Sequence, residues 1–204
     1  MGITNHQHFF RKLHSLSGII PVGVFLLVHL SVNFTATYGE DAYNTASAIM
    51  VNLPFKMFLE TFVIFVPLLF HGLYGVYIAM QAKNNVIRYK YMRNWQFYLQ
   101  RLSGLLTLAF LIWHVWETKI SYELYGGEMG YNFMAEVVSS PLVLVLYIIG
   151  IVSATYHFSN GIWTFLISWG ITISPKSQKV FSYITFGIFL VITYIGVRAI
   201  MAFA

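Results

Sequence analysis

Four histidines inside apolar stretches are the residues of this sequence best suited to chemistry. His29, His71, His114 and His157 each lie in a different long apolar segment. An ionisable side chain is costly in a bilayer and usually faces the interior of a helix bundle, where it has a partner. A single such histidine is most simply explained as a packed side chain bonded to a neighbouring carbonyl. Four of them at matched positions favour binding of a metal.

These histidines are positioned by five apolar segments, each long enough to cross the ~30 Å hydrocarbon core of a membrane as a helix. The segments cover residues 14–36, 57–80, 98–120, 139–169 and 178–202. The sequence therefore predicts an all-α integral membrane protein in which residues 1–204 form one domain of five transmembrane helices. Ser140 before Pro141 and Ser174 before Pro175 predict capped starts for the last two helices.

The composition excludes several classes of function. Of the 204 residues, 58% are hydrophobic and only 9% are charged, whereas soluble domains carry about a quarter charged residues. The net charge of +5 comes from basic residues that lie between the apolar segments, a pattern that reports membrane orientation and argues against nucleic-acid binding. The chain has no cysteine, so disulfides, thiol catalysis and cysteine-ligated iron–sulfur clusters are excluded.

The charged residues predict the orientation of the helices. Basic residues precede the first segment and fill the connections between segments two and three and between segments four and five, whereas the other two connections are mainly acidic. The basic set is Arg11, Lys12, Lys83, Arg88, Lys90, Arg93, Lys176 and Lys179, and the acidic set is Glu40, Asp41, Glu123, Glu128 and Glu136. Because basic connections stay in the cytoplasm, we expect a cytoplasmic N-terminus and a C-terminus outside.

The depth of the four histidines sorts them into two levels. At about 1.5 Å per residue, His29 and His114 lie roughly 22–24 Å from the cytoplasmic ends of their helices. His71 and His157 lie a similar distance from the outer ends, because their helices run the other way. The outer pair (His29 and His114) and the inner pair (His71 and His157) are therefore separated by roughly 15 Å in depth. Two facing pairs suit two bis-histidine haems held by the first four helices, with no axial position left for oxygen, so the chemistry is electron transfer.

Other residues near the histidines support this hypothesis. Gly75 and Gly161 lie one turn after the inner histidines, where a missing side chain admits a flat ring or a closely packed helix. A faint repeat relates Leu-Ser-Gly at residues 16–18 to Leu-Ser-Gly at residues 102–104. Polar residues at the cytoplasmic side are candidates for contacts to the propionates of the inner haem or for ordinary interfacial anchors, namely His14, Ser17, Arg93, Gln100 and Arg101.

Longer stretches around these residues resemble a known family. The stretches are RKLHSLSGIIPVGVFLLVHL (residues 11–30), YMRNWQFYLQRLSG (91–104), WHVWETKI (113–120) and TYHFSNGIWTF (155–165). They closely resemble the dihaem cytochrome b subunit of bacterial succinate dehydrogenase, in particular the single-chain membrane anchors of Gram-positive bacteria. The similarity extends over essentially the whole chain.

The resemblance implies a subunit of succinate:quinone oxidoreductase in the bacterial cytoplasmic membrane, with a flavoprotein and an iron–sulfur protein docked on its cytoplasmic face. Succinate is then oxidised on a partner subunit, and this chain carries electrons through two haem b groups to menaquinone. The resemblance also implies His71 and His157 as ligands of the inner, proximal haem, and His29 and His114 as ligands of the outer, distal haem. Related fumarate reductases have a glutamate linked to proton transfer where this chain has Thr155, so that pathway is not expected here.

A quinone site needs a polar group for the quinone carbonyl and a proton source. Near the outer ends of segments one and three the candidates are Asn33, Trp116 and Glu117, although Trp116 also suits an aromatic belt and Glu117 a solvated helix end.

Two other functions stay open. One is the dihaem anchor of another quinone-linked oxidoreductase, such as a fumarate reductase, nitrate reductase or hydrogenase. The other is a small transporter whose histidines relay protons, which would be colourless.

Overall fold

A computed structural model describes residues 5–126 and 130–204, and within these ranges every regular element is helical. Glu128, one of the acidic residues that predict the orientation, lies outside the described residues. The α-helices are α1 (Asn5–Ile19), α2 (Pro21–Phe34), α3 (Glu40–Val51), α4 (Lys56–Phe58), α5 (Val66–Gln81), α6 (Met92–Val115), α7 (Ser121–Tyr125), α8 (Tyr131–Val137), α9 (Pro141–Ser168) and α10 (Pro175–Met201).

The first long helix is interrupted near its middle. α1 ends at Ile19 and α2 begins at Pro21, because proline has no N–H to bond to the carbonyl of the preceding turn. α2 then runs into a tight 3₁₀ turn over Thr35–Tyr38. The predicted segment 14–36 therefore lies within a longer helical stretch that already begins at Asn5.

Two wide π-helical turns occur at the same end of the bundle. Leu59–Phe65 joins α4 to α5, and Trp116–Ile120 joins α6 to α7. Glu60 in the first turn forms an ion pair with Lys119 in the second, with Oε2 and Nζ 3.1 Å apart. This contact ties the second long helix to the third. The third long helix begins at Met92, before the predicted start at residue 98.

The starts of α9 and α10 differ. Ser177 N donates to Ser174 Oγ, and Ser174 N in turn donates to Ser177 Oγ, so α10 begins with the predicted cap. Ser140 makes no side-chain cap bond at the start of α9, and the prediction of a cap there is wrong. The third residue of α9 is the apolar Val143, which cannot complete the reciprocal pair that Ser177 completes in α10.

Helix α9 is the centre of the bundle. It packs along α6 and along α10, while α10 also packs on α2, and α1 packs on α5. A glycine allows one of the closest approaches, since a Cβ on Gly196 of α10 would lie 2.7 Å from Cγ2 of Ile151 on α9. Buried Tyr147 and Ile200 belong, with Ile151, to an apolar cluster at the end of the bundle away from the N-terminus.

The connections at that same end contain two short helices, α3 and α8, that the sequence analysis did not predict. Asn44 Oδ1 in α3 accepts a hydrogen bond from the N–H of Tyr131 in α8, at 2.9 Å. Asn132 Nδ2 in α8 donates to Glu40 Oε1 in α3, at 2.8 Å. The two connections are therefore joined to each other across the end of the bundle.

Four helical stretches are long and apolar enough to cross a membrane: His6–Tyr38, Lys56–Gln81, Pro141–Ser168 and Pro175–Met201. The third predicted segment, 98–120, is also helical, but Gln100, Arg101 and His114 make it less apolar than the other four. The all-α class is confirmed for the described residues, and four of the five predicted spans have the required length and composition. The remaining span, the third in chain order (98–120), stays a prediction.

Candidate functional site

The four histidines lie in the structure as two facing pairs. The ring centroids of His71 on α5 and His157 on α9 are 6.0 Å apart, and those of His29 on α2 and His114 on α6 are 5.9 Å apart. All four side chains are partly buried. The structure brings together the same inner and outer pairs that the depth argument groups, and their role as haem ligands stays a prediction.

Both rings of the inner pair donate a hydrogen bond to a backbone carbonyl. His71 Nδ1 lies 2.9 Å from the carbonyl oxygen of His14 on α1, and His157 Nδ1 lies 3.0 Å from the carbonyl oxygen of Gln100 on α6. Because a carbonyl only accepts, the proton must be on Nδ1 in both rings. Nε2 of each ring then keeps its lone pair for a metal, which is the usual arrangement of a metal-binding histidine.

Glycine stands against each ring of the inner pair. A Cβ on Gly18 would lie 2.3 Å from Cε1 of His71, and a Cβ on Gly104 would lie 2.7 Å from Cε1 of His157. Any larger residue would therefore push the ring away from its position. Both glycines end a Leu-Ser-Gly triplet of the repeat seen in the sequence.

The serines of these triplets make equivalent contacts as well. Ser17 Oγ donates to the carbonyl of His14 at 3.0 Å, and Ser103 Oγ donates to the carbonyl of Gln100 at 3.2 Å. These are the two carbonyls that accept the ring N–H groups of the inner pair. The repeat suggested by the sequence is therefore present in the side-chain contacts of α1 with α5 and of α6 with α9.

A break in the helix accounts for a one-residue irregularity in the repeat. His114 is one residue closer to Gly104 than His29 is to Gly18. The interruption at Ile20 falls between Gly18 and His29, whereas α6 is continuous over the matching part. The interruption at Ile20 accommodates the one additional residue between Gly18 and His29, so that His29 and His114 lie at the same depth in the bundle.

His14 packs behind the inner pair. Its ring stacks on the ring of His71, with centroids 4.1 Å apart and an interplanar angle of 10°. A Cβ on Gly75 would lie 3.2 Å from Cε1 of His14, so this glycine makes room for His14 where α1 packs on α5, and a role beside a flat cofactor stays a prediction. His14 Nδ1 is buried without a hydrogen-bond partner among the described residues, which leaves it free to bond a polar group of a bound molecule.

The two arginines proposed as propionate contacts pack on aromatic rings. The Arg101 guanidinium lies 3.2 Å from the centroid of the Phe97 ring and donates to the Phe97 carbonyl at 2.6 Å. The Arg93 guanidinium lies 5.9 Å from the centroid of the Trp163 ring. Arg101 Nε is buried with no hydrogen-bond partner among the described residues. A propionate role for either arginine stays a prediction.

The outer pair is surrounded by side chains instead of backbone carbonyls. His114 Nδ1 lies 3.3 Å from the Tyr147 hydroxyl, which donates to Glu117 Oε2 at 3.2 Å. His29 Nε2 lies 3.5 Å from Asn33 Nδ2, and this amide donates to the His29 carbonyl at 2.8 Å. The two polar residues predicted to contact a quinone, Asn33 and Glu117, therefore already bond to protein groups around the outer pair.

The third predicted quinone contact is more open. Trp116 is 55% exposed and is the first residue of the wide turn Trp116–Ile120. The three candidate quinone contacts thus lie at the level of the outer pair, as expected, and a quinone role for them stays a prediction.

Thr155 lies two residues before His157 on α9. It is fully buried, and its Oγ1 lies 2.7 Å from Oγ1 of Thr193 on α10. The position therefore holds a neutral, hydrogen-bonded link between α9 and α10.

The ligands available at each pair fit a haem better than a bare metal ion. Within the described parts of the chain, no group of three His, Asp or Glu side chains is arranged so that it could hold a metal ion, whereas a metal ion held by protein alone usually has three or four such ligands. Each pair offers two imidazoles, which suffice when a porphyrin supplies the remaining ligands. Two metal–imidazole bonds of about 2 Å each, with the ring radii added, separate the ring centres by about 6 Å, close to the 6.0 and 5.9 Å observed.

The groups that hold the histidine rings are not among the residues singled out from the sequence for this role. The carbonyls of His14 and Gln100 have no sequence signature of their own, but each precedes its histidine by 57 residues. This equal spacing was a detectable signal of the repeat. Tyr147 was missed because a tyrosine within an apolar helix is read as part of the core, and only the fold places its hydroxyl between His114 and Glu117.

Comparison with known proteins places these pairs in context. A family model described as succinate dehydrogenase/fumarate reductase transmembrane subunit matches residues 83–196, which include His114 and His157. The chain is also similar to the succinate dehydrogenase cytochrome b558 subunit of Bacillus subtilis (strain 168), with 51% identity over 199 residues, 98% of each chain. The similarity thus extends over nearly the whole length of both proteins.

The contacts of the two triplet glycines predict selective damage to the inner pair. We expect Gly18→Ala and Gly104→Ala each to lower the free energy of unfolding by about 1–3 kcal/mol, the usual effect of overpacking. We also expect each to change the spectrum of any haem at His71 and His157 and to leave that of a haem at the outer pair as it is. Thermal unfolding in detergent and reduced-minus-oxidised spectra check both points.

Gly187→Ala on α10 is the matched control, because a Cβ there meets nothing within 4 Å. If the variants at residues 18 and 104 behave like this control, the close approach of those glycines to the histidine rings is contradicted.

Proposed function

Because the chain belongs to the family of succinate dehydrogenase and fumarate reductase transmembrane subunits, we propose that it is the dihaem cytochrome b membrane anchor of a succinate dehydrogenase. In this role it carries electrons from an iron–sulfur subunit to menaquinone, and succinate is oxidised on a flavoprotein subunit. The chain is a multi-pass membrane protein. The observation that carries the proposal is the pair of facing imidazoles at each of two levels, 6.0 and 5.9 Å between ring centroids.

The chain's own residues give each haem the properties of an electron carrier. When bound, haem supplies an iron that changes reversibly between two oxidation states. His71 and His157 would hold one haem at the inner level, and His29 and His114 would hold the other at the outer level, and two imidazoles for each iron would leave no place for oxygen. The hydrogen bonds of His71 and His157 to backbone carbonyls fix the orientation and the tautomer of each ring.

The proposal includes five membrane spans, with the N-terminus in the cytoplasm. Support for the third span, which α6 forms, comes from its polar residues, because these make their contacts inside the bundle. The Gln100 amide donates to the His157 carbonyl at 3.0 Å, and His114 contacts Tyr147. Support for the orientation comes from the basic connections at the N-terminal end, where Lys12 Nζ donates to the Ser168 carbonyl. We place the flavoprotein and iron–sulfur subunits against this end.

We further propose that menaquinone binds beside the outer pair. Trp116 offers an exposed ring there, and the amide of Asn33 and the carboxyl of Glu117 lie within the same level. A carboxyl group near the membrane surface is a suitable proton source for a reduced quinone.

The alternatives predict different cofactors or partners. A nitrate reductase or hydrogenase anchor would copurify with other subunits, and the 51% identity to a succinate dehydrogenase subunit favours the present proposal. A proton-relaying transporter would contain no haem. The spectrum and haem content of the purified complex therefore decide between classes.

Replacement of the four histidines tests the haem assignment. We expect His71→Ala and His157→Ala each to lose one of two haems, with matching residual spectra, because either change removes an axial ligand from the same iron. His29→Ala and His114→Ala should lose the other haem. The double change at residues 71 and 157 should resemble either single change, whereas changes at residues 29 and 71 together should remove both haems.

His8→Ala is the matched control, since His8 is exposed on the first turns of α1, and immunoblotting confirms insertion of each variant. Haem is measured as the pyridine adduct together with reduced-minus-oxidised spectra. Wild-type haem content in any of the four ligand variants would remove that histidine from the assignment, and a haem-free wild-type complex would refute the proposal.

The absence of cysteine makes the orientation directly testable. Single cysteines can be introduced as Asn84→Cys and Tyr125→Cys. Asn84 lies in the exposed connection between α5 and α6, and Tyr125 lies at the end of α7 and is 80% exposed. With a membrane-impermeant maleimide on intact cells, we expect labelling at residue 125 only. Residue 84 should react after permeabilisation, and the reverse pattern would overturn the proposed topology.

Glu117→Gln tests the quinone contact. We expect a several-fold lower kcat/KM for a menaquinone analogue with normal haem content, because the variant keeps the shape of the side chain but cannot carry a proton. Glu123→Gln, an exposed carboxyl at the same end of the bundle, serves as the control. Unchanged quinone reduction in the Glu117 variant would exclude this residue from the site.

A further inference from the structure

Tyr147 occupies a fixed position between two groups of the outer level. It lies on α9 and is 2% exposed. Its ring packs edge-on against Trp113, with centroids 5.0 Å apart, and against Phe110, with centroids 5.5 Å apart. Aromatic contacts of this kind restrict the rotation of the ring, so the hydroxyl is held where the fold puts it.

The donor and acceptor roles along this contact can be assigned. A carboxylate oxygen only accepts, so the Tyr147 hydroxyl donates to Glu117 Oε2 at 3.2 Å. The same hydroxyl therefore accepts at its oxygen from His114 Nδ1–H, at 3.3 Å. The result is a chain of two hydrogen bonds from His114 through Tyr147 to Glu117, and Nε2 of His114 stays free for iron.

Among the described residues, the inner rings are linked to no carboxylate: the side chain that reaches His157 Nδ1 is the neutral Gln100 amide, at 3.3 Å, which itself accepts from Asn160. His71 and His157 donate to the backbone carbonyls of residues 14 and 100, whose dipoles are fixed by the helices. A phenol that donates to a carboxylate is a stronger acceptor than an isolated phenol, because hydrogen bonds in series polarise one another. An acceptor of this kind makes the imidazole a better electron donor to its metal.

The charged groups nearby do not compete for Glu117. Lys119 pairs with Glu60 at 3.1 Å and with Glu123 at 3.0 Å, and Lys56 lies 3.8 Å from Glu60. Within the described ranges, no ion pair to Glu117 is found, and its contact is with Tyr147. The carboxyl is therefore directed to the tyrosine and through it to the outer pair.

We propose that Tyr147 is a positioning residue for His114 that transmits the electron-donating effect of Glu117 to the outer haem and lowers its midpoint potential. This inference rests on the proposed haem function. It assigns a role to a residue outside the ligand set and distinguishes the outer site from the inner one. Second-sphere hydrogen bonding is one of the means by which a protein sets a haem potential.

Redox titration of the membrane-bound complex tests the inference. In Tyr147→Phe, His114 loses its acceptor, so we expect the midpoint potential of the outer haem to rise and that of the inner haem to stay as in wild type. Glu117→Gln should shift the outer haem in the same direction. The double variant should match Tyr147→Phe alone, because the carboxyl acts only through the phenol. The low-spin ferric EPR signal of the outer haem should also change in Tyr147→Phe as the imidazole loses its anchor.

Tyr194→Phe, which alters an exposed tyrosine on α10, is the matched control and should leave both potentials unchanged. Wild-type potentials in Tyr147→Phe overturn the inference. The inference is also overturned if Glu117→Gln shifts the potential of the outer haem by the same amount in the wild-type background and in the Tyr147→Phe background. If Tyr147→Phe does not assemble, Glu117→Gln keeps the phenol in place, and wild-type potentials in that variant then overturn the inference. A wild-type complex without haem refutes the proposed function itself, whereas unchanged potentials in a complex with two haems refute only the role of Tyr147.

Discussion

Two hydrogen bonds from histidine rings to helix carbonyls are the constraint on which the rest of the bundle depends. His71 donates to the carbonyl of residue 14, and His157 donates to that of residue 100. A carbonyl inside a helix cannot turn, so each imidazole bonded to it keeps one orientation and one tautomer. The bond also requires close approach of the two helices, which is why glycine stands beside each ring at residues 18 and 104. The positions of these two rings, of the glycines beside them and of the helices that carry them are therefore parts of one geometry.

Irregular helix geometry serves the same purpose at the other level. The interruption at Ile20 absorbs one additional residue before His29, and the π-helical turn Trp116–Ile120 follows directly after the end of α6, beyond His114. Glu60 and Lys119 connect two such wide turns. Departures from the ideal α-helix are frequent where side chains must reach a functional position. In this bundle they bring the outer histidines level and place Glu117 within reach of Tyr147.

The sequence predicted the helices and the grouping of the histidines because lipid leaves few alternatives. A chain without water to bond its backbone must be helical over the span, and a constant rise per residue converts sequence position into depth. The same reasoning fails outside the spans, where α3 and α8 form through mutual contacts such as Asn44 to Tyr131. It also could not find Tyr147, since its partners His114 and Glu117 lie on a different helix. The absent cap at Ser140 shows that a serine before a proline favours a capping bond without ensuring that the side chain makes it.

The internal repeat implies a particular ancestry for such a molecule. Each facing pair takes one imidazole from the first two long helices and one from the next two: His71 with His157, and His29 with His114. A polypeptide consisting of one such half carries a single imidazole for each level and completes neither pair alone. Two copies with their matching helices side by side and parallel would complete both. A symmetric homodimer of two-helix chains is therefore the simplest precursor, and gene fusion would have allowed the two levels to diverge, as the different surroundings of His71 and His114 now show.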